Sequence, residues 1–440
     1  MARRILPTDG YAIMNALVRE ATGQSSIAVR DLNTFVSTGE TVLSTGIENV
    51  QNALSIVMGR MLVATRPYRA KLALINSINT DCYTNRMRKI SFYAKDAEAS
   101  GYFNTNLYTN LADGFTNGQN ESGGTPQSTK SMWEQNQAMP LEFNFAGSTV
   151  WDDSITMYEE QLRAAFRSPE ELAQYVSGML VEHANDIEAQ KEAFNRMTLL
   201  NEIGACYLYT EGANWVSGGS VNLTTAFNTR FGTNYTSAQL RSTYLKDFLG
   251  FMVATIRKVS DYMTERSTKY HLPMTKTVNG VSYSILRHTP YDRQRLFLFE
   301  PLFRESEALV LPEIFRPEYL DIKKQYEGVT FWQNNGATDD DRAKVQVRCA
   351  FYDKTSGYQA SSGDIKLDYV VGLLCDEDAM MVDYQLERAL TTPVEARKGY
   401  RNTWLHMSKN AICDPTENAV LFYMDDSGVT PAEDNADANT

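Results

Sequence analysis

Asp339-Asp340-Asp341 places three carboxylates side by side in a stretch rich in Asn, Gly and Asp, Asn334–Asp341. That composition makes it a candidate cation site. Calcium loops space their ligands along the chain instead of stacking them in a row, and a solvated acidic loop accounts for the same residues. The four histidines, His183, His271, His288 and His406, are scattered. No H-E-x-x-H sets two of them on one helix face. His183 falls on the stripe of a long helical segment and is read as a satisfied core or interface side chain. The chain has no G-x-x-x-x-G-K-[ST] phosphate loop, no G-x-G-x-x-G after a strand and no G-x-S-x-G elbow. No nucleophile stands beside a base in a defensible pair. The five cysteines, Cys82, Cys206, Cys349, Cys375 and Cys413, are odd in number, widely spread and without a C-x-x-C pair. That is the pattern of small buried thiols in a reducing compartment. Catalytic residues, a metal centre and a cofactor site are therefore not expected, and weight moves from enzyme to structural protein.

Composition agrees. Hydrophobic residues at 43% and charged residues at 22% suit a folded chain, and the length allows two or three subdomains. The net charge of −12 opposes tight, sequence-independent binding of nucleic acid over the whole surface, which needs clustered Lys and Arg. It suits a surface that lies near nucleic acid without sticking to it, or one that is simply soluble. Twenty-four Tyr and nineteen Phe exceed what a core alone needs and point to interfaces. No apolar run of about 18 residues suggests a membrane span. The glycosylation patterns at Asn120, Asn222 and Asn234 are read as chance.

The elements that must position these residues begin with a long helix. Ser168, Pro169 and Glu171 form a helix start with a capping box. Leu172, Val176, Met179, His183, Ile187, Gln190, Phe194 and Met197 then make one stripe. Gly204 is the expected stop. A helix over residues 169–203 would be roughly 50 Å long. Before it, residues 1–75 read as an arm, with helical patterns over Gly10–Thr22 and Ile47–Thr65 and an extended polar stretch between them. Residues 76–147 read as a long hairpin. Ile90, Phe92 and Ala94 alternate with Lys89, Ser91, Tyr93 and Lys95, and Leu141, Phe143 and Phe145 alternate with Glu142, Asn144 and Ala146. A Gly-rich polar loop joins the two arms. The basic residues Arg86, Arg88, Lys89 and Lys95 suit either a solvated strand face or an acidic neighbour.

After the long helix comes a mixed region, about 205–368. It holds a second helix over Ser237–Thr264 and strand-like runs at Ser282–Leu286, Leu296–Phe299 and Val345–Phe351. Thr355–Asp364 reads as surface loop. The end returns to strands at Tyr369–Cys375, Ala379–Leu390, Arg401–Ser408 and Ala419–Met424. Residues 425–440 are acidic, without apolar periodicity, and are expected to be a disordered tail.

This order of elements resembles the major capsid proteins of tailed phages, the Hong Kong 97 fold. Local sequence adds to the resemblance: Trp151-Asp152-Asp153-Ser154 and Ser168-Pro169-Glu170-Glu171 before the long helix. Near the end, Gln385, Glu387, Pro393, Arg397, Tyr400-Arg401-Asn402-Thr403-Trp404 and Glu417-Asn418-Ala419-Val420-Leu421-Phe422 look like the capsid proteins of short-tailed phages. The resemblance covers about residues 45–424. It implies an α+β fold with an N-terminal arm (1–75), an E-loop hairpin (76–147), a P-domain with the spine helix (148–204), an A-domain (205–368) and closing P-domain strands (369–424). It implies an icosahedral head shell around double-stranded DNA, built of hexamers and pentamers in the host cytoplasm and residing in the virion. A portal protein is implied too. No appended immunoglobulin-like domain is seen, and the lack of a long charged N-terminal extension implies a separate scaffolding protein. DNA would touch the inner face without sequence-specific binding, and no membrane is involved. The expected subunit-interface residues are Lys89, Phe92, Tyr93, Phe143, Phe145 and Trp404. Two other readings stay open: a cellular nanocompartment shell of the same fold, and a metal-dependent hydrolase using Asp339–Asp341.

Overall fold

The computed structural model describes residues 7–22, 29, 31–44, 72–78, 86–95, 138–147, 149–165, 169–211, 219–278, 281–304, 326–353 and 356–427. Two sheets and one helix organise these residues. The central sheet has the order Tyr326–Val329, Gln294–Phe299, Tyr369–Asp376, Ala419–Met424, Ser220–Asn222. Its outer pairs are parallel and its inner pairs antiparallel. All residues of Tyr369–Asp376 and Ala419–Met424 are buried. Continuous apolar runs of this kind mark strands covered on both faces. Gly372 is required in the middle: a Cβ there would lie 2.6 Å from the Phe297 carbonyl oxygen and from Leu298 Cδ2. Trp332, fully buried, donates its indole N–H to the Val370 carbonyl at 2.9 Å.

The second sheet has the order Asn76–Ile78, Met380–Thr391, Tyr400–Cys413, Thr149–Tyr158. Its long pairs are antiparallel, with Trp404 opposite Leu390 on one side and Ser154 on the other. The expectation of strands at Ala379–Leu390 and Arg401–Ser408 holds, with the latter longer than predicted. Thr149–Tyr158 is a strand that the lead-in sequence did not announce.

The long helix runs Pro169–Glu211, 43 residues, and passes from the second sheet to the central one. Pro169 is its first residue, as predicted; Ser168 lies outside the described residues. Gly204 does not end it. A Cβ at 204 would stand 2.9 Å from Cys349 Cβ and 3.0 Å from Val347 Cγ1. The glycine is there so that the segment Val347–Cys349 can approach the helix. The predicted stripe holds at His183 and Phe194 but fails at Met197, which is 52% exposed. Beyond Phe194 the buried set becomes Thr198, Leu199, Ile203, Cys206 and Tyr209, because the helix enters the core and is covered from new directions.

Several other expectations change. The polar stretch in the arm contains a helix, Leu32–Ser44, after Pro7–Thr22, with Met14, Leu17 and Phe35 buried. Ile47–Thr65 lies outside the described residues, as does the predicted hairpin loop. The helix expected over Ser237–Thr264 is two: Ser237–Leu240, with a capping box between Thr236 and Gln239, and Leu245–Met263. The run Val345–Phe351 divides into Val345–Val347 and Ala350–Asp353, which pair with Ile365–Leu367 and Tyr358–Ser361. Tyr358–Ser361 is thus a strand inside an expected loop. Asp425 and Asp426, expected in the disordered tail, take part in the fold, since the Ser237 N–H donates to Asp426 Oδ1 at 2.6 Å and Asn222 donates to the Asp425 carbonyl at 3.0 Å; residues 428–440 lie outside the described residues.

Candidate functional site: the hairpin junction

The carboxylates and histidines that opened the sequence analysis do not converge. Asp339–Ala343 is a short helix capped by Thr338. Each acid faces a base: Asp339 with Arg342 at 3.4 Å, Asp340 with Arg241, and Asp341 with Lys344 at 3.2 Å. Among the described residues no three of His, Cys, Asp and Glu are grouped to hold a metal. His183 is buried on the long helix, with Nδ1 2.8 Å from Asp153 Oδ2. Burial pushes its pKa down, against the pull of Asp153 and Asp186. His271 is buried between the carbonyls of Leu272 and Ser267, while His288 is exposed. His406 stands opposite Asp152 across two strands.

The thiols are free, with Cys206, Cys349 and Cys375 buried and Cys413 nearly so; Cys82 lies outside the described residues. They surround a carboxyl the sequence did not single out. Glu202 is fully enclosed, with Cys206 Sγ 3.6 Å away, and burial pushes its pKa up to about 8. Burial also drives Cys206, Cys375 and Cys413 well above the ordinary thiol value. Such thiols stay protonated and poorly nucleophilic.

The charged cluster with a specific geometry lies at the root of the hairpin. Strand Arg86–Phe92 pairs antiparallel with Pro140–Ala146, placing Lys89 opposite Phe143 and Phe92 opposite Pro140. The two faces are therefore unlike. Lys89, Ser91, Leu141, Phe143 and Phe145 turn toward the body; Arg88, Ile90, Phe92, Glu142 and Asn144 turn outward. Ser91 and Phe143 are buried, whereas Ile90 is 50% and Phe92 61% exposed. Phe92 and Phe143, both expected at the subunit interface, thus lie on opposite faces of the ribbon. The register puts the alternation of the two strands out of step.

On the inner face Lys89 meets Asp414 and, at 2.6 Å, Glu417 Oε1. Arg287 is 3.3 Å from Glu417 Oε1 and donates to Ser91 Oγ at 2.8 Å and to the Thr416 carbonyl at 3.0 Å. The side chain of Asp414 is fully buried, and its Oδ1 accepts from the Thr416 N–H at 2.9 Å and hydroxyl at 2.7 Å. Burial alone would lower the Lys89 pKa, but Asp414 and Glu417 outweigh it and hold it above the ordinary value. Burial raises Glu417, partly offset by Lys89 and Arg287. Beside this junction opens a polar cavity of about 400 Å³, lined in part by Arg266, His288, Arg293 and Asp378. Asp414 and Arg287 escaped the sequence reading, and Glu417 entered it only as part of the capsid-like run Glu417–Phe422. Asp414-Pro-Thr-Glu417 signals a turn between strands, but nothing in it names Lys89, more than 300 residues away.

Of the other predicted interface residues, Tyr93 is half-buried and donates its N–H to the Met139 carbonyl at 3.0 Å. Phe145 stacks on Phe143 with centroids 6.5 Å apart, and Phe143 packs edge-on against Tyr352 at 5.4 Å. Trp404 is half-buried in the second sheet, far from the hairpin in sequence.

The described residues thus form a mixed α+β chain whose charged cluster seats a hairpin that turns Ile90 and Phe92 outward. A family model for Phi29-like phage major capsid proteins matches residues 153–423. The chain belongs to that family: it is a bacteriophage major capsid protein, a shell-forming component of the virion that assembles from many copies of itself. No curated protein matches the sequence. Among solved structures, the capsid of Staphylococcus phage Andhra is similar at 10% identity and a TM-score of 0.47, over 81% of this chain and 85% of that one. The capsid of cyanophage P-SCSP1u is similar at 10% identity and a TM-score of 0.39, over 82% and 90%. Mycobacterium phage Adephagia gives 10% identity and a TM-score of 0.36, over 84% and 94%.

Proposed function

We propose that this subunit builds an icosahedral head shell around packaged double-stranded DNA, and that the outward face of the hairpin rests on a neighbouring copy. The observation that carries the contact is the pair Ile90 and Phe92, at least half exposed on a two-stranded ribbon. Two strands alone are marginal in water, and large apolar side chains on such a ribbon are stabilised by cover. Burying each contributes roughly 1.5–3 kcal/mol, repeated at every copy of the contact.

In this reading residues 76–147 are the E-loop, the long helix is the spine of the P-domain, 205–368 form the A-domain, and 369–424 close the P-domain. Phe92 is the interface residue, with Ile90 joining it. Lys89, Phe143 and Phe145 support the hairpin from within the chain, Tyr93 follows Phe92 at the loop end of the paired strands, and Trp404 is retained as a candidate at the second sheet. Assembly takes place in the host cytoplasm, with hexamers and pentamers, a separate scaffolding protein and a portal protein as partners. DNA lies against the inner face without base-specific contacts, which suits a net charge of −12. The test is Ile90→Ser with Phe92→Ser. Circular dichroism of the double variant should match the parent, while sedimentation velocity and electron microscopy should show loss of closed particles. Shells formed as readily as by the parent would remove the hairpin face from the interface.

A further inference from the structure

Resting on that reading of the hairpin, we infer that the junction of Lys89, Arg287, Asp414 and Glu417 is the positioning device that sets the direction in which the hairpin projects, and thereby controls assembly. The cluster does more than hold charges together. It joins three segments remote in sequence: the hairpin strand through Lys89 and Ser91, the segment after Val281–Ser284 through Arg287, and the loop between the last two strands through Asp414, Thr416 and Glu417.

The receiving loop is rigid. Its backbone is fixed by Asp414 N–H to the Ala379 carbonyl at 2.8 Å, by Leu272 N–H to the Pro415 carbonyl at 2.7 Å and by Asp376 N–H to the Asn418 carbonyl at 2.8 Å. The Asn418 side chain donates to Thr289 Oγ1 at 3.1 Å. Lys89 thus enters a socket built on the central sheet. The hairpin is also tied to the body by the Phe143–Tyr352 contact and by the short pairing of Ala94–Lys95 with Tyr283–Ser284. An aromatic edge contact tolerates rotation. A lysine shared between two carboxylates, with Arg287 bridging from Ser91 to Glu417, fixes both the tilt and the slide of the strand, because charge-assisted bonds to acceptors on separate residues must all be met at once. Removing the lysine leaves Asp414 buried without its closest counter-charge, so the seated position itself becomes unfavourable.

The experiment compares Lys89→Met with Ile90→Ser/Phe92→Ser by hydrogen–deuterium exchange on the unassembled protein and by sedimentation of particles. For Lys89→Met, exchange in Arg86–Phe92 and Pro140–Ala146 should rise about tenfold or more, with the central sheet still protected, and particle yield should collapse. For the outer-face variant, hairpin exchange should match the parent while particles are lost. Unchanged hairpin exchange in Lys89→Met overturns the inference, and so does a loosened hairpin that still closes normal shells. Normal shells from the outer-face variant would instead sink the proposed contact, leaving the exchange result to stand on its own. If Lys89→Met loses its global fold, Lys89→Met/Asp414→Asn removes both charges of the closest pair. It should fold with the hairpin still loose, and a protected hairpin in that variant overturns the inference.

Discussion

At the scale of single residues, Glu202 contributes a pH dependence to stability. Its carboxyl is held neutral among thiols, with a pKa of about 8 against an unfolded value near the ordinary 4.5. The folded state therefore keeps a proton that the unfolded state releases. Stability from this group is complete below about pH 4.5 and declines as pH rises until about pH 8 is passed. Glu202→Gln, which keeps the shape without the titration, should flatten that decline. At pH 8 it should be the more stable protein, by roughly 2–5 kcal/mol, as read from urea midpoints between pH 5 and 8.5. An unaltered pH profile would show that Glu202 ionises freely in the fold. Two residues along the helix, Gly204 makes a steric prediction. Gly204→Ala drives a methyl group into Cys349 and Val347. Despite the better helix propensity of alanine, it should destabilise by about 1–3 kcal/mol, visible as a lower thermal midpoint.

At the scale of elements, the long helix is the member on which both sheets depend. Phe194 lies where it passes from one to the other, 6% exposed, and the Lys409 ammonium sits 4.5 Å from its ring and 5.1 Å from that of Trp151. Burial lowers the Lys409 pKa, and the two aromatic faces offset part of that cost. Phe194→Ala should cost about 3–5 kcal/mol through the cavity it leaves. A loss below 1 kcal/mol in chemical denaturation would place the phenyl ring outside the core. The hairpin is an element of the opposite kind. Its described strands pair over Arg86–Phe92 and Pro140–Ala146, and its inner face is seated on a loop more than 300 residues away.

At the scale of the whole molecule, the central sheet closes with Ala419–Met424, and the segment just beyond still takes part in the fold. Asp426 accepts from the Ser237 N–H at the start of a short helix, and Asp425 exchanges hydrogen bonds with Asn222. Removing residues 425–440 should therefore lower the thermal midpoint relative to removing 428–440 alone. Equal midpoints would make those two contacts energetically silent.

By itself the sequence determined the elements whose signals are local. Tyr369–Cys375 and Ala419–Met424 announce buried strands by unbroken apolar runs, Pro169 announces the helix start, and alternation announces both hairpin arms. The order of these elements carried the likeness to phage capsid proteins, because succession along the chain survives where short motifs do not. Only the tertiary structure decided which way each pattern faces. The face that Phe143 shares with Lys89 depends on strand register, a relation between two segments that neither encodes alone. Gly204 looked like a stop because a glycine's local meaning is a broken helix; its actual partner, Cys349, is brought there by the sheet. The extra helix Leu32–Ser44 and the break at Arg241–Tyr244 show weak propensity yielding to packing. Asp414 and Glu417 read as turn residues until folding set them against Lys89, since an ion pair across that distance in sequence exists only once the chain is closed around it.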